Sequence, residues 1–528
     1  MLRHLLRCTL FVLCLCLAVI PSAAQSRART PLQPADVDAI ATLLKLEDAR
    51  TYDEDTLRKI LTSAHPEVRR RATQTIGRIA DKRGGALLER AQDDKDQDVA
   101  ATAAWSDGQL RDPAAVPWLS QALTAPSSSH GLQREAAIAL GKIQAPEARA
   151  ALAAYLTKTE TTKAPPAVVG EALLSLGRFP GHEDLAPVLR WTSSPDVEIR
   201  WRATWALFRP RNPAALPELL RLADDRSGDV RFWAVRGLAP YPDVEPGPSA
   251  ARLRAAVGDR DRRVRTEALR TLAQHDDDAS VQLMMNMLTS PDSWLSVSAA
   301  EAMARYTSRA DVIVPRLVAA AGSDRPLALR LTARQSLTRL GPAGKTALDG
   351  LSTEGLPSSA PAARGPRPVP QLRTDGEYRQ IVERWIVPDY NGARPPRAQL
   401  ATRRGTIALE LYPGDAPLGL EYFIRVVESG EIVGTEFSRV VPNFVAQQRA
   451  IRTDVVLRDE VSRRGLTRGN LSWASAGLDT GRPGYTLGVT PQPHNEGNFT
   501  ALGRVTRGMD VVERLQLGDA ITGARMIK

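Results

Sequence analysis

Residues 404–417 read RGTIALELYPGDAP. Ile407, Leu409 and Leu411 alternate with Ala408, Glu410 and Tyr412, the period of a strand with one face buried and the other wet. Pro413 and Gly414 then end it, as a turn should, since proline fixes φ and glycine frees it. A helix brings residues three or four apart onto one face, so this spacing excludes an amphipathic helix here. Everything before the stretch reads differently, and the change of period separates two kinds of domain.

Upstream, from about residue 55 to 350, one pattern recurs: an acidic or proline-containing turn, an apolar anchor, often an arginine, then small residues at helical spacing. It is clear in HPEVRRRATQTIGRI, SPDVEIRWRATWAL, SGDVRFWAVRGL and DRRVRTEALRTL, and weaker in KDQDVAATAAW and SDRPLALRLTARQSL. The anchors Val68, Val99, Leu132, Val168, Ile199, Val230, Val264, Leu295 and Leu329 are 31 to 36 residues apart, the period of a solenoid of stacked helix pairs. Asp196 and Asp229 are expected to cap their helices, and Ala72, Ala203, Ala234 and Ala268 to let neighbouring helices approach closely. The arginine after the anchor (Arg69, Arg200, Arg231, Arg265, Arg330) is expected first to pair with the turn acid of an adjacent repeat, and only second to meet a ligand. Tryptophans 105, 201, 205, 233 and 294 read first as core and second as exposed binding aromatics. These repeats resemble HEAT repeats of the short bacterial type. The resemblance implies a protein-binding surface and names no partner.

Length and composition bound the rest. A chain of 528 residues needs more than one core. The formal charge of +10 comes from arginine dispersed among 60 acidic residues without a block of like charge, which points away from a nucleic-acid partner. Residues 1–24 carry Arg3 and Arg7, an apolar run of 13 residues from Cys8 to Ile20, and then small residues, which is the pattern of a secretory signal cleaved after Ala24. The run is too short for a membrane anchor. All three cysteines, Cys8, Cys14 and Cys16, lie in that segment, so the exported chain is expected to have no disulfide and no cysteine ligand. The six histidines show no pair at metal-ligand spacing. A periplasmic or secreted protein without a membrane span is therefore expected.

Between the two periodic regions, residues 351–373 are rich in proline, serine, alanine and glycine, a linker. A short amphipathic helix follows in GEYRQIVERWIV, with Tyr378, Ile381, Trp385 and Ile386 near one face. The division is thus a signal at 1–24, a solenoid at 25–350, the linker, and a last domain at 374–528 with its core at about 397–528. In that domain LGLEYFIRVVESG puts Leu420, Phe423 and Val427 on one helix face. RGMDVVERLQLGD gives a second helix among many short strands, which suggests a barrel closed by helices.

One short segment there, FSRVVPNFVAQQ at 437–448, sets Arg439 inside an apolar run. By pattern alone it is an edge strand with a charged outer face. Together with RGTIALELYPGDAP, LRDE and TPQPHNEGNFTALGRVTRGMDVVERLQLGD, the segment resembles the cyclophilin-type peptidyl-prolyl cis-trans isomerases. The resemblance implies a multidomain chain: an all-α HEAT-like solenoid followed by a mainly-β closed barrel of eight strands with two capping helices. It also implies catalysis of rotation about X–Pro bonds in proline-containing polypeptides or unfolded proteins, a reaction that needs no cofactor, metal or nucleophile. Arg439 is then the catalytic group, Phe444 and Val445 line the proline pocket, and Gln447 fixes the substrate backbone. The same resemblance assigns Phe437, Ala474 and Ser475 to the substrate groove, and with them Gly484, Thr486, Asn495 and Phe499.

The chain departs from the family pattern at several of these positions. Ser438 replaces a histidine, Ser475 an asparagine, Gly484 a glutamine, Thr486 a phenylalanine and Asn495 a leucine. The loop QRAIRTDVVLR before Asp459 and Glu460 is short and lacks glycine. Two readings stand: an exported isomerase with a protein-binding solenoid, and a binding or scaffold protein whose barrel has weak or no catalysis.

Overall fold

The computed structural model describes residues 29–161, 163, 165–180, 184–241, 244–356, 372–451 and 455–527. The expected export signal with its cysteines, most of the linker and His182 lie outside the described residues.

The repeat pattern becomes helix pairs. The second helices of the repeats, among them Pro66–Ile79, Gln97–Leu110, His130–Ile143, Val197–Phe208, Arg262–Leu272, Ser293–Met303 and Leu327–Arg339, stack in chain order. Every anchor from Val68 to Leu329 is buried. Asp96, Asp196, Asp261 and Asp292 each accept the N–H two residues on and so cap their helices. Asp229 does not: it lies inside Gly228–Gly237, and its carboxylate instead takes Arg263 at 2.7 Å. Small residues set the spacing, as expected. At Gly108 an added Cβ would stand 2.8 Å from Ala139 Cα, so the helix backbones touch there and only glycine fits.

The arginine after the anchor stitches the repeats together. Arg69 holds Asp94 of the next turn in a fork (2.6 and 2.8 Å), Arg200 holds Asp225, and Arg231 holds Asp259. Each also donates to two carbonyls of its own turn. Arg265 reaches Asp292 at 3.2 Å, and Arg330 donates to the Glu354 carbonyl instead. The pairing is therefore structural, a fork that satisfies turn carbonyls and carboxylate at once.

Downstream, the strands are β1 (Arg397–Thr402), β2 (Gly405–Leu411), β3 (Phe437–Val441), β4 (Val445–Gln448), β5 (Asn470–Trp473), β6 (Tyr485–Gly488), β7 (Ala501–Arg507) and β8 (Ile521–Ile527). They form one antiparallel sheet in the order β3-β4-β6-β5-β7-β2-β1-β8. It curls until its ends meet: Phe437 N–H donates to Asp519, Ile521 N–H donates to Thr435, and Glu436 bridges Ala520. Ile407, Leu409 and Leu411 point into the barrel as their alternation requires, and the helix Pro417–Glu428 closes it with Leu420, Phe423 and Val427 inward.

The helical segment Asp375–Ile381 and its continuation through Val382–Ile386 pack on the first solenoid helix, Pro34–Ala49. Tyr378 OH donates to Asp48 there at 2.7 Å, so the chain returns from the end of the solenoid to its beginning before entering the barrel. The barrel is gripped along the whole row of second helices. Arg71 and Arg78 reach carbonyls of Gly414 and Val461, Arg463 of the barrel reaches Asp98 and Glu135, and Arg178 reaches Pro493. At the far end Arg262 donates to Glu513, Arg270 to Pro442, and Trp294 joins the barrel's own apolar core. Packed helices lie about 9 Å apart, which makes the row roughly 60 Å if straight. A domain the size of the barrel is only about 35 Å across. Both ends of the row touch the barrel, so the solenoid curves around it.

Candidate active site

β3 and β4 form a hairpin in which Arg439 stands opposite Gln447. A bulge between Phe437 and Arg439 turns two successive residues, Ser438 and Arg439, toward solvent. That irregularity answers how an arginine sits in an apolar strand: its neighbours Phe437 and Ala446 face the core while the bulge carries it outside. Its guanidinium lies 5.5 Å from the Phe444 ring centroid, and Nη1 is 3.4 Å from Gln447 Oε1. Phe444 in turn stacks on His494 at 6.2 Å. His494 is exposed as a residue, but partial burial of its imidazole, with Arg236, Arg209 and Arg178 nearby, holds it down to about 4, so it is neutral at physiological pH.

The hairpin turn is locked from outside. Asn443 adopts φ +61°, which asparagine tolerates, and its Nδ2 donates to the Arg263 carbonyl at 2.8 Å and to Glu267 at 3.3 Å. Thr490 donates to the Asn443 carbonyl, and Val489 N–H to that of Phe444. The arginine-bearing hairpin is thus held between the barrel and the solenoid helix Arg262–Leu272.

The other expected site residues are distributed unevenly. Val445 is buried, and Gln447 is half-exposed on the outer face of β4. Thr486 lies across from Gln447 on β6, its hydroxyl 2.8 Å from that of Ser472. Ala474 donates to the Gly484 carbonyl, while the Ser475 hydroxyl is buried without a partner among the described residues. Asn495 bonds Gln492, and Phe499 is half-buried on the loop before β7. Two assignments need correction. Phe437 has no exposed surface and belongs to the barrel core, where it cannot meet a ligand. Gly484 is covered by the chain at 448–450: a Cβ there would stand 2.9 Å from the Gln448 carbonyl and 3.0 Å from Ala450 N, so the backbone leaves no room for a side chain.

The solenoid supplies what the sequence did not announce. A cavity of about 640 Å³ lies between the two domains, lined by Arg439, Phe444 and His494 on one side and Trp233, Arg236, Arg270 and Trp294 on the other. Asn443 carried a weak signal, a turn residue suited to positive φ. The tryptophans read as core, and both are indeed buried, yet each also presents an edge to this cavity. Among the described residues no cluster of histidine, cysteine or carboxylate is arranged to hold a metal, and no helix is long and apolar enough to cross a membrane.

Residues 397–527 match the family described as cyclophilin type peptidyl-prolyl cis-trans isomerase/CLD, and HEAT repeats match at 54–129, 85–164, 160–239 and 250–338. A peptidyl-prolyl cis-trans isomerase of Helicobacter pylori is 32% identical over 143 residues, covering 24% of this chain and 85% of the relative. The chain belongs to the cyclophilin-type peptidyl-prolyl cis-trans isomerase family. A peptidyl-prolyl cis-trans isomerase of Synechococcus elongatus (30% over 139 residues, 25% of this chain and 96% of the relative) and peptidyl-prolyl cis-trans isomerase B of Bacillus subtilis (32% over 128 residues, 23% and 90%) are also similar. In this cyclophilin-type barrel, the Asp459–Glu460 pair that follows the shortened loop serves the fold. Asp459 accepts from Thr500 and Asp479 N–H, and Glu460 from Leu418 and Gly419 N–H. Burial pushes the Glu460 carboxyl up to about 7 against the pull of Arg78.

Proposed function

We propose that this isomerase is exported to the periplasm or beyond and acts on X–Pro bonds of polypeptides, with Arg439 as its catalytic group. One observation carries the proposal: the Arg439 guanidinium is exposed at the cavity while braced by Phe444 and Gln447. An X–Pro amide resists rotation with a barrier of about 18–20 kcal/mol because resonance makes it planar. As the bond twists, the prolyl nitrogen pyramidalises and its lone pair localises. A guanidinium donor beside it then bonds the twisted state better than either planar state, which is the condition for catalysis. A charged hydrogen bond of about 1.5–3 kcal/mol corresponds to roughly 10- to 150-fold in rate.

The test is isomerisation of a short X–Pro peptide by the full-length protein, followed by exchange NMR. Arg439→Ala is expected to lower kcat/KM by at least tenfold, and equal rates for the two proteins would remove Arg439 from the mechanism. Export is supported by residues 1–24; the protein recovered from the periplasm should begin at Gln25. Full-length chain recovered only from the cytosol would contradict export. Protein partners are proposed for the solenoid faces that the barrel leaves free, such as the helix Ala310–Ala320 with its exposed Val312.

A second reading, a binding barrel of low activity, is favoured by the closed position at Gly484 and by the small, hydrogen-bonded Thr486 where an aromatic wall is expected. Peptide binding by the Arg439→Ala protein, with no isomerisation by either protein, would support it.

A further inference from the structure

We infer that the cavity between barrel and solenoid is a substrate subsite that selects polypeptides with acidic residues beside the proline, read by Arg236, Arg270 and Arg339. The inference rests on the isomerase reading above and assigns it a substrate class.

The geometry makes the solenoid the second wall of the site. Arg439 and Phe444 face a surface built by Trp233, Trp294 and the helices Ser293–Met303 and Leu327–Arg339. A polypeptide whose prolyl bond lies against Arg439 therefore has its flanking residues against the solenoid. Among the lining residues four guanidiniums, Arg236, Arg270, Arg339 and Arg439, stand against one carboxylate, Glu301. Neutral His494 adds nothing to that sum. Arg339 is exposed and has no ion-pair partner among the described residues. Arg236 lies over Trp233 at 5.5 Å with Glu267 3.6 Å away, and Arg270 donates one N–H to the Pro442 carbonyl at 2.9 Å.

Aromatic walls beside a positive field suit an extended acidic peptide, and the volume lies within the range of ligand pockets.

Two fluorescein-labelled octapeptides with one Ala–Pro bond, flanked by glutamate in one and lysine in the other, test this with the full-length protein. Exchange NMR gives isomerisation and fluorescence anisotropy gives binding. The glutamate peptide is expected to be preferred roughly tenfold at low salt, the sum of a few partly exposed ion pairs, and the preference should shrink at 0.5 M salt. Arg236→Glu/Arg339→Glu should invert the preference, and Arg236→Lys/Arg339→Lys should keep most of it, which separates charge reading from a folding defect. An equal glutamate-to-lysine ratio in the wild type, or a ratio unmoved by charge reversal, overturns the inference. Isomerisation without glutamate preference sinks this inference and leaves the isomerase reading; glutamate-selective binding without isomerisation does the reverse.

Discussion

Replacing Arg78 by alanine should loosen the barrel from the solenoid far more than its position on a surface-length side chain suggests. Arg78 is 2% exposed and Glu47, its partner at 2.7 Å, 8% exposed. The guanidinium also donates to the carbonyls of Val461 (2.9 Å) and Asp415 in the barrel, so one side chain joins the first two solenoid layers to the domain they hold. Truncation leaves Glu47 buried with the Thr75 hydroxyl (2.6 Å) as its remaining side-chain donor among the described residues, and with Arg50 and Arg71 only as nearby charges. Breaking a buried pair in this way costs about 3–5 kcal/mol. If that cost falls on docking, local opening becomes roughly 10²- to 10⁴-fold more frequent. The reporters are the Leu418 and Gly419 amides, which Glu460 holds at 3.1 and 2.7 Å directly behind the Arg78 contact. Hydrogen exchange of these amides should accelerate by that factor, while Arg83→Ala, which removes an exposed pair with Asp81, should leave them unchanged. Acceleration of less than tenfold in Arg78→Ala would falsify the view that this side chain carries the docking.

Three further perturbations address the pH response, the solenoid spacing and the arginine ladder. Burial raises the Glu460 carboxyl from 4.5 to about 7, so the folded state favours the protonated form. The stability tied to this group is fully present below pH 4.5 and is lost as pH rises through 7, by up to about 3 kcal/mol; urea midpoints of Glu460→Gln should fall less steeply between pH 5 and 7 than those of the wild type. Gly108→Ala places a methyl against the Ala139 backbone and should cost about 1–3 kcal/mol in thermal unfolding, whereas Gly85→Ala, whose Cβ would meet nothing nearer than 3.6 Å, should not. Arg200→Lys keeps the charge but loses the fork to Asp225 and the turn carbonyls, and should lower stability by about 1–2 kcal/mol; an unchanged midpoint would show that charge alone suffices.

What could be read from the chain was what repeats or alternates. The anchors recur because every helix pair must bury the same position, and Ile407, Leu409 and Leu411 alternate because one face of β2 is core. The arginine ladder was legible for the same reason. Arg78 was not: it lies nine residues after Arg69 on the same helix, outside the repeated position, and its partners in the barrel are more than 300 residues away. Asp229 failed as a cap because its helix begins one residue earlier, at Gly228, which leaves the carboxylate free for Arg263. At the site, Arg439 and Gln447 are brought together by strand register, a local property. Phe437 and Gly484 were misjudged because a motif gives chain position, while burial depends on which way a bulge turns and on what crosses above.

The docking changes what the solenoid can do for the barrel. A solenoid joined only through the linker would act by tethering, and its effect would scale with linker length. Here the barrel is held at both ends of the row of helices, by Arg71 and Arg78 at one end and by Arg262, Arg270 and Trp294 at the other. Linker length then has little leverage on the site, because the helices fix the distance between the two domains. The β3–β4 hairpin that carries Arg439 is itself clamped through Asn443 to Arg263 and Glu267, so movement of the solenoid transmits directly to the arginine. The cavity beside Arg439 lies between that hairpin and the helices Ser293–Met303 and Leu327–Arg339. It follows that the isolated barrel is a different site from the barrel in its cradle, with one wall missing and its hairpin turn unclamped.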